Sequence, residues 1–213
     1  MFREADGFGE GAGSDYNFTA RVTAVPWQDE DGLLHLGIAY SYKNASSVSY
    51  DARPESHLAI KLVDTGDIVA DNASLLGLEA AILLGALSVQ GEYMVATPDL
   101  AAGSDPDLTG YYIAASYFLT GEQRNYKAAK GAFGRVKPSE NLGAGSGALE
   151  IAARLSNVDL SDKAVAGGEL DDVTLGVNWY LNPNTRIMAN YVAADLDGVG
   201  DVNVIETRFQ IDF

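Results

Sequence analysis

The sequence predicts an all-β protein, an antiparallel transmembrane β-barrel of the outer-membrane type, and three observations carry that prediction. The chain of 213 residues divides into about ten segments in which apolar and polar side chains alternate, separated by clusters of Gly, Asp, Asn and Pro. No stretch approaches the roughly 18 consecutive apolar residues that a membrane-spanning helix needs. The final segment, 207–213, alternates to its last residue: Thr207, Phe209, Ile211 and Phe213 face one way, Arg208, Gln210 and Asp212 the other.

A chain of this pattern crosses lipid only as a closed barrel, because only helices and barrels satisfy every backbone group there. A soluble sandwich would also alternate, but with strands of about five or six residues against the roughly ten seen here, the length a bilayer-spanning barrel requires. The absence of Cys excludes a disulfide scaffold and a thiolate metal site.

Taken in order, residues 1–14 contain neither the charged n-region nor the apolar h-region of a secretory signal, and are expected to form a flexible segment ahead of a barrel domain over 15–213. Strands are predicted over 17–25, 33–43, 57–63, 75–84, 87–95, 111–119, 149–156, 173–181, 186–193 and 207–213. The clearest is 173–181, with Val173, Leu175, Val177, Trp179 and Leu181 on one face and Thr174, Gly176, Asn178 and Tyr180 on the other. Asn182-Pro183-Asn184-Thr185 follows as a tight turn, Pro setting φ and Asn tolerating unusual dihedrals.

Some connections are short, as at 84–87 and 181–186; others are longer and acidic, as at 99–107, 159–172 and 195–201. Short turns on the periplasmic side and long loops outside are the asymmetry of outer-membrane barrels. With Phe213 at the periplasmic end, 119–122 and 182–185 are expected there too. Trp27 and Trp179, with the many Tyr, suit interfacial girdles.

Several stretches resemble one known family as a set. They are Phe118-Leu119-Thr120-Gly121-Glu122-Gln123-Arg124-Asn125-Tyr126, residues 131–138, 147–156 and 174–183, and the terminal Arg208-Phe209-Gln210-Ile211-Asp212-Phe213. In this order they resemble the phosphate-selective porin O and P family over most of 16–213. The terminal strand is also similar to the C-terminal signal that hands barrels to their assembly machinery, carried by Phe209, Ile211 and Phe213. The resemblance implies a passive outer-membrane channel for small anions such as phosphate, built as a homotrimer of sixteen-stranded subunits. It implies contact with outer-membrane lipid, lipopolysaccharide and the barrel assembly machinery, no cofactor and no nucleic acid. With about ten strands, the chain is expected to be the C-terminal portion of such a barrel; a self-contained barrel of about ten strands is the other structural reading.

Sending the apolar phase to lipid turns Arg21, Lys43, Lys61, Arg154, Arg186 and Arg208 inward, against Glu79, Glu92, Glu150, Glu206 and Asp212. The wall is therefore expected to be roughly neutral, with Arg154 and Glu150, and Arg208 and Glu206, two apart on one face and able to neutralise each other. The net charge of -16 is assigned to the connections, so it says little about which ion a pore prefers; the constriction decides that. One segment is basic: Arg124, Lys127, Lys130, Arg135 and Lys137. It reads either as an anion-collecting mouth, since Arg forks match phosphate oxygens, or as a solvated connection. The acidic loops could bind divalent cations bridging to lipopolysaccharide. No inward-folding loop is recognisable.

Catalysis finds no motif. His35 and His57 sit in no metal or nucleophile pattern, and both are expected to point inward as lining residues. Gly143 to Gly147 precedes a strand, so it lacks the helix N-terminus of a phosphate-binding loop. The readings left are a water-filled channel for small anions and, as the alternative, a non-conducting barrel acting as an adhesin or envelope scaffold.

Overall fold

In the computed structural model, residues 16–212 are described. The expected flexible segment 1–14 and the terminal Phe213 of the assembly signal lie outside them. Nine long strands form one sheet: β1 (Asn17–Gln28), β2 (Gly32–Asn44), β3 (Asn72–Leu84), β4 (Leu87–Asp99), β5 (Leu108–Phe118), β6 (Ala148–Asp162), β7 (Val165–Asn182), β8 (Thr185–Leu196) and β9 (Gly200–Ile211). Each pairs antiparallel with its neighbours in chain order. The all-β antiparallel prediction holds, with nine long strands among the described residues rather than about ten.

One face of the sheet is an apolar band. Val22 on β1, Leu36, Ile38 and Tyr40 on β2, Leu76 and Leu78 on β3, Tyr111, Ile113 and Tyr117 on β5, Ile151 and Leu155 on β6 and Leu175 and Val177 on β7 are all exposed. The opposite, inner phase holds His35, Lys43, Ser88, Ser116, Glu150, Ser156 and Asp172, all buried. A soluble sheet does the reverse, burying its apolar face. Trp27 and Trp179 stand on the outer face near one end, where Trp179 Nε1 donates to the Ser146 carbonyl at 2.8 Å. In β1 the register slips between Ala24 and Trp27, because Pro26 has no N–H to give the ladder and the strand bulges there.

The connections divide between two ends. At the lower end, where β9 finishes, lie 29–31, 85–86, 119–147 and 183–184; at the upper end lie 45–71, 100–107, 163–164 and 197–199. Asp212 N–H donates to the Asn184 carbonyl, which puts 182–185 and the chain's last described residue together, as expected. Three expectations are corrected. Residues 57–63 are not a strand but part of the 45–71 connection. Leu58 and Ile60 are open to solvent there, and the segment is folded by its own short pairings of Ser47–Val48 with Ile68–Val69 and Asp51–Ala52 with Val63–Asp64. Residues 159–172 are not a long acidic loop: β6 and β7 continue to a two-residue turn in which Lys163 takes φ 54°. Nor is 195–201 a loop throughout, since Asp195 and Asp201 face each other across β8 and β9. These strands rise past the apolar band, and beyond lipid a strand carries charge on both faces.

The sheet curls. Laid flat, nine strands would separate β1 and β9 by roughly 38 Å at about 4.8 Å per step, yet the single connection 119–147 touches Arg21 and Thr23 of β1, Glu150 of β6 and Asp212 beyond β9. Among the described residues β1 and β9 are not paired with each other. They run in the same direction, so an antiparallel seam between them needs an odd number of interposed strands. Two apolar clusters sit inside the curl. The upper one packs Val48, Val63 and Ile68 of 45–71 against Ala73, Ala96, Leu108, Leu160, Leu170 and Ala194 of the wall, and the lower one packs Val136 against Phe118, Ala148 and Tyr180.

A charge placed on the outer band tests its exposure to lipid. Leu175→Lys is expected to lower unfolding free energy in lipid by about 2–4 kcal/mol. Met188→Lys, on the inner phase, should cost less than about 1 kcal/mol. Heat-modifiable migration through a urea series reads both.

Candidate functional site

Both long connections fold across the inner face, and the polar side chains of the site are where they meet the wall. Connection 119–147 begins at Thr120, whose hydroxyl accepts from Leu149 N–H at 3.0 Å and donates to Glu122. The other Glu122 oxygen accepts from Ser139 N–H at 3.0 Å, closing the segment on itself. Burial pushes the Glu122 carboxyl up, but the hydrogen bonds from Thr120 and Ser139 outweigh it and hold the group below its ordinary value. The tip pairs Tyr126–Lys127 with Ala132–Phe133 around one short turn of 3₁₀ helix, Ala128–Lys130, closed by Gly131 at φ 56°. A Cβ at Gly131 would lie 2.7 Å from Thr23 Oγ1, so this tip reaches β1 only because the residue is glycine.

The tip is bound to the wall through polar groups. Tyr126 Oη lies 2.6 Å from His35 Nδ1, while His35 Nε2 lies 3.2 Å from Glu79 Oε1. Glu79 pairs with Arg21 at 2.5 Å, and Arg21 donates to the Gly131 carbonyl at 2.9 Å. Burial raises the Tyr126 phenol above its usual value, so it stays protonated at neutral pH. Arg124 stacks 4.6 Å from the Phe133 ring centroid and lies 3.9 Å from Glu150, a carboxylate that also accepts from Tyr180 and Asn178 at 2.9 Å each. Arg135 donates to Asn184 at 2.5 Å and lies 3.8 Å from Asp212.

Connection 45–71 meets the wall further up. Glu55 Oε1 lies 2.9 Å from Arg154 Nε and accepts from Ser156 Oγ at 2.6 Å. Arg154 in turn covers the Tyr112 ring, 3.9 Å from its centroid. Burial pushes the Tyr50 phenol at the root of this segment up to about 12. An inward-folding connection, not recognisable in the sequence, is therefore present twice.

The sequence-predicted residues are placed as follows. Arg21, Lys43, Arg154 and Arg186 are on the inner phase of strands, and Arg186 donates through two nitrogens to Gln210 at 3.1 and 2.9 Å. Arg208 is on the inner phase of edge strand β9. Lys61 is not in a strand; it sits on connection 45–71, 2.7 Å from Asp51. The expected neutralisation along one strand is replaced by other partners: Arg154 takes Glu55 of connection 45–71 rather than Glu150, while Glu206 accepts from Asn190, directly opposite it on β8. Of the basic segment, Arg124 and Arg135 are tied to the wall, and Lys127, Lys130 and Lys137 are exposed. His35 points inward as expected; His57 is exposed on 45–71. Phe209 and Ile211 stand exposed on the outer face. Glu55, Ser156 and Tyr126 were not legible as site residues, since each acts through a partner at least 91 positions away.

An apolar outer band, a polar inner phase and connections folded into the curl define the class: the wall of a bacterial outer-membrane porin. The sequence profile of the phosphate-selective porin O and P family matches residues 2–213. Porin O of Pseudomonas aeruginosa is 31% identical over 218 residues, covering 87% of this chain and 49% of that protein. An uncharacterized protein of Caulobacter vibrioides is 31% identical over 216 residues, covering 94% of this chain and 43% of its own length. The chain belongs to the phosphate-selective porin O and P family, whose place is the outer membrane. It spans about half the length of the curated relatives it matches.

Two outcomes check the anchoring of 119–147. Because the Glu122 carboxyl is held below its ordinary value, its contribution is complete above the unfolded value, about 4.3, and is lost as pH falls through the lower folded value. Protection of the Ser139 amide from hydrogen exchange, taken relative to the intrinsic rate at each pH, should fall over that acid range, and Glu122→Gln should show the lower protection already at pH 7. Tyr126→Phe, removing the contact to His35, should cost about 1 kcal/mol in a denaturant titration.

Proposed function

We propose that this chain lines part of a water-filled outer-membrane channel through which small anions, phosphate among them, diffuse passively. The observation that carries the reading is a cavity of about 210 Å³ at the lower end, lined by Arg124, Arg135 and Arg186 with Tyr180, Asn182 and Asp212. It has room for roughly seven waters at about 30 Å³ each, enough for a small oxyanion that keeps part of its hydration. Arg186 spends its close hydrogen bonds on the neutral amide of Gln210, so its charge remains available to an anion, whereas Arg135 also faces the Asp212 carboxylate at 3.8 Å. Lys127, Lys130 and Lys137 add exposed point charges on the same connection. The family's description as phosphate-selective agrees with this.

As partners we propose a second and third copy of the chain, supported by an apolar groove of about 650 Å³ on the outer face. Its lining includes Ala115, Ala153 and Ala189 between Tyr117, Leu175 and Tyr191, small residues that let a neighbour's side chain seat. Lipopolysaccharide would meet the upper-end carboxylates through divalent cations, and the exposed Phe209 and Ile211 suit the assembly machinery.

The second reading, a non-conducting adhesin or scaffold, is favoured by the apolar packing of both connections inside the curl. Refolded protein in a planar bilayer under a salt gradient separates the two. The channel reading expects discrete steps with an anion-selective reversal potential, and a severalfold loss of that selectivity in Arg124→Gln/Arg135→Gln/Arg186→Gln. A folded, heat-modifiable protein without steps sinks the channel and supports the scaffold.

A further inference from the structure

The inner wall holds a second polar cavity, roofed by the tip of connection 119–147. It measures about 180 Å³, and Glu79, Gln90, Glu92 and Tyr112 of the strands line it together with Tyr126 and Phe133 of the tip. Glu79 and Glu92 stand directly opposite each other on β3 and β4, an arrangement in which like charges repel. Arg21 and His35 attend to Glu79 at 2.5 and 3.2 Å. Glu92 accepts from the Tyr112 hydroxyl at 2.7 Å and enters none of the ion pairs among the described residues. The lining thus sets two carboxylates against one guanidinium.

Gln90 shows what kind of group the cavity lacks. Its Nε2 donates to Tyr112 Oη at 3.2 Å, and that hydroxyl donates onward to Glu92 Oε1. This order fixes the amide, because a reversed Gln90 would turn its oxygen to a hydroxyl whose one proton is already given to Glu92. Gln90 Oε1 is left buried without a partner among the described residues. Buried polar groups are satisfied in the great majority of cases, and an orphaned acceptor calls for a donor.

We infer that this cavity is a binding site for a short primary alkylammonium ion, whose N–H groups reach Glu92 and Gln90 Oε1 while its carbon chain lies against the rings of Tyr126 and Phe133. An ammonium carries three donors and no acceptor, which matches a lining rich in unoffset acceptors. The volume equals roughly six waters at about 30 Å³ each, more than a bare metal ion fills. Among the described residues no three acidic or histidine side chains converge as metal ligands. The roof is held shut over the guest by the Tyr126–His35 contact and by Arg21 on the Gly131 carbonyl. A cation site goes beyond the anion channel proposed above. Binding needs no conductance, so the two readings stand or fail separately.

The test is calorimetric titration of the refolded chain in zwitterionic detergent with n-propylammonium chloride, and with tetramethylammonium and calcium chlorides at equal ionic strength. Propylammonium should bind, and the other two should not, since tetramethylammonium has the charge without the donors. Losing a hydrogen bond to a charged group costs about tenfold or more in affinity, so Glu92→Gln and Gln90→Leu should each weaken propylammonium binding by about that factor, with Glu206→Gln unchanged. No binding by the native chain, equal binding of tetramethylammonium or calcium, or undiminished affinity in folded Glu92→Gln overturns the inference. A measurement free of variants uses the roof itself. Hydrogen exchange of the paired residues Tyr126 and Phe133 should slow in propylammonium and not in tetramethylammonium, and equal protection in both overturns the site.

Discussion

Lipid on the outside is the constraint from which the rest of this structure follows. A strand in hydrocarbon must pair every backbone N–H and C=O with a neighbour and show only apolar side chains outward. The exposed row of Leu, Ile, Val and Tyr along β1 to β9 meets the second demand, and the antiparallel ladder from β1 to β9, interrupted only by local register shifts, meets the first for the strands it encloses. Every ionisable group is left with two places to go: inward, or past the ends of the band. Asp195 and Asp201 rise past it; Arg21, Glu79, Glu150 and Arg154 turn in.

Charges turned into a curl must then be satisfied there, and that task falls to the two long connections. Each contributes an apolar foot and polar contacts. Val136 seats against Phe118 and Tyr180 while Tyr126 and Gly131 reach His35 and Arg21; Val48 and Val63 seat against the upper wall while Glu55 reaches Arg154 and Ser156. The ion pairs of Arg21, Arg124 and Arg154 thus form between segments apart in the chain rather than along single strands. The inner side of the curl is filled from both ends, with an arginine-lined cavity beside one connection and a carboxylate lying across an arginine beside the other. This lengthwise difference in charge is invisible in the total of -16.

The shared direction of β1 and β9 has a bearing on relatives about twice as long. A barrel of antiparallel strands closes on an even number, and nine must be joined by an odd number more. Among the described residues, the outward edges of Asn17–Gln28 and Gly200–Ile211 have no paired strand, and such edges are the costliest feature of a sheet in lipid.

The sequence by itself determined the strands, their inner and outer phases and their order, because a period of two is a local property and lipid enforces it over the whole band. Val173 to Leu181 was readable residue by residue for that reason. Terminal Phe209 and Ile211, the tight turn at Pro183 and the family were legible on the same local grounds. Only the tertiary structure decided what the connections do. The alternation in 57–63 matched a strand as well as any segment, yet those residues fold as part of an inward hairpin, since seven residues of pattern do not say whether a neighbouring strand lies within reach. The acids of 159–172 read as a loop because charge marks water, and charge on both faces is equally compatible with a strand that has left the membrane. Glu55 and Arg154 carry no signal of each other across 99 positions. Their meeting depends on how far the sheet curls, a property of all nine strands together that no local stretch encodes.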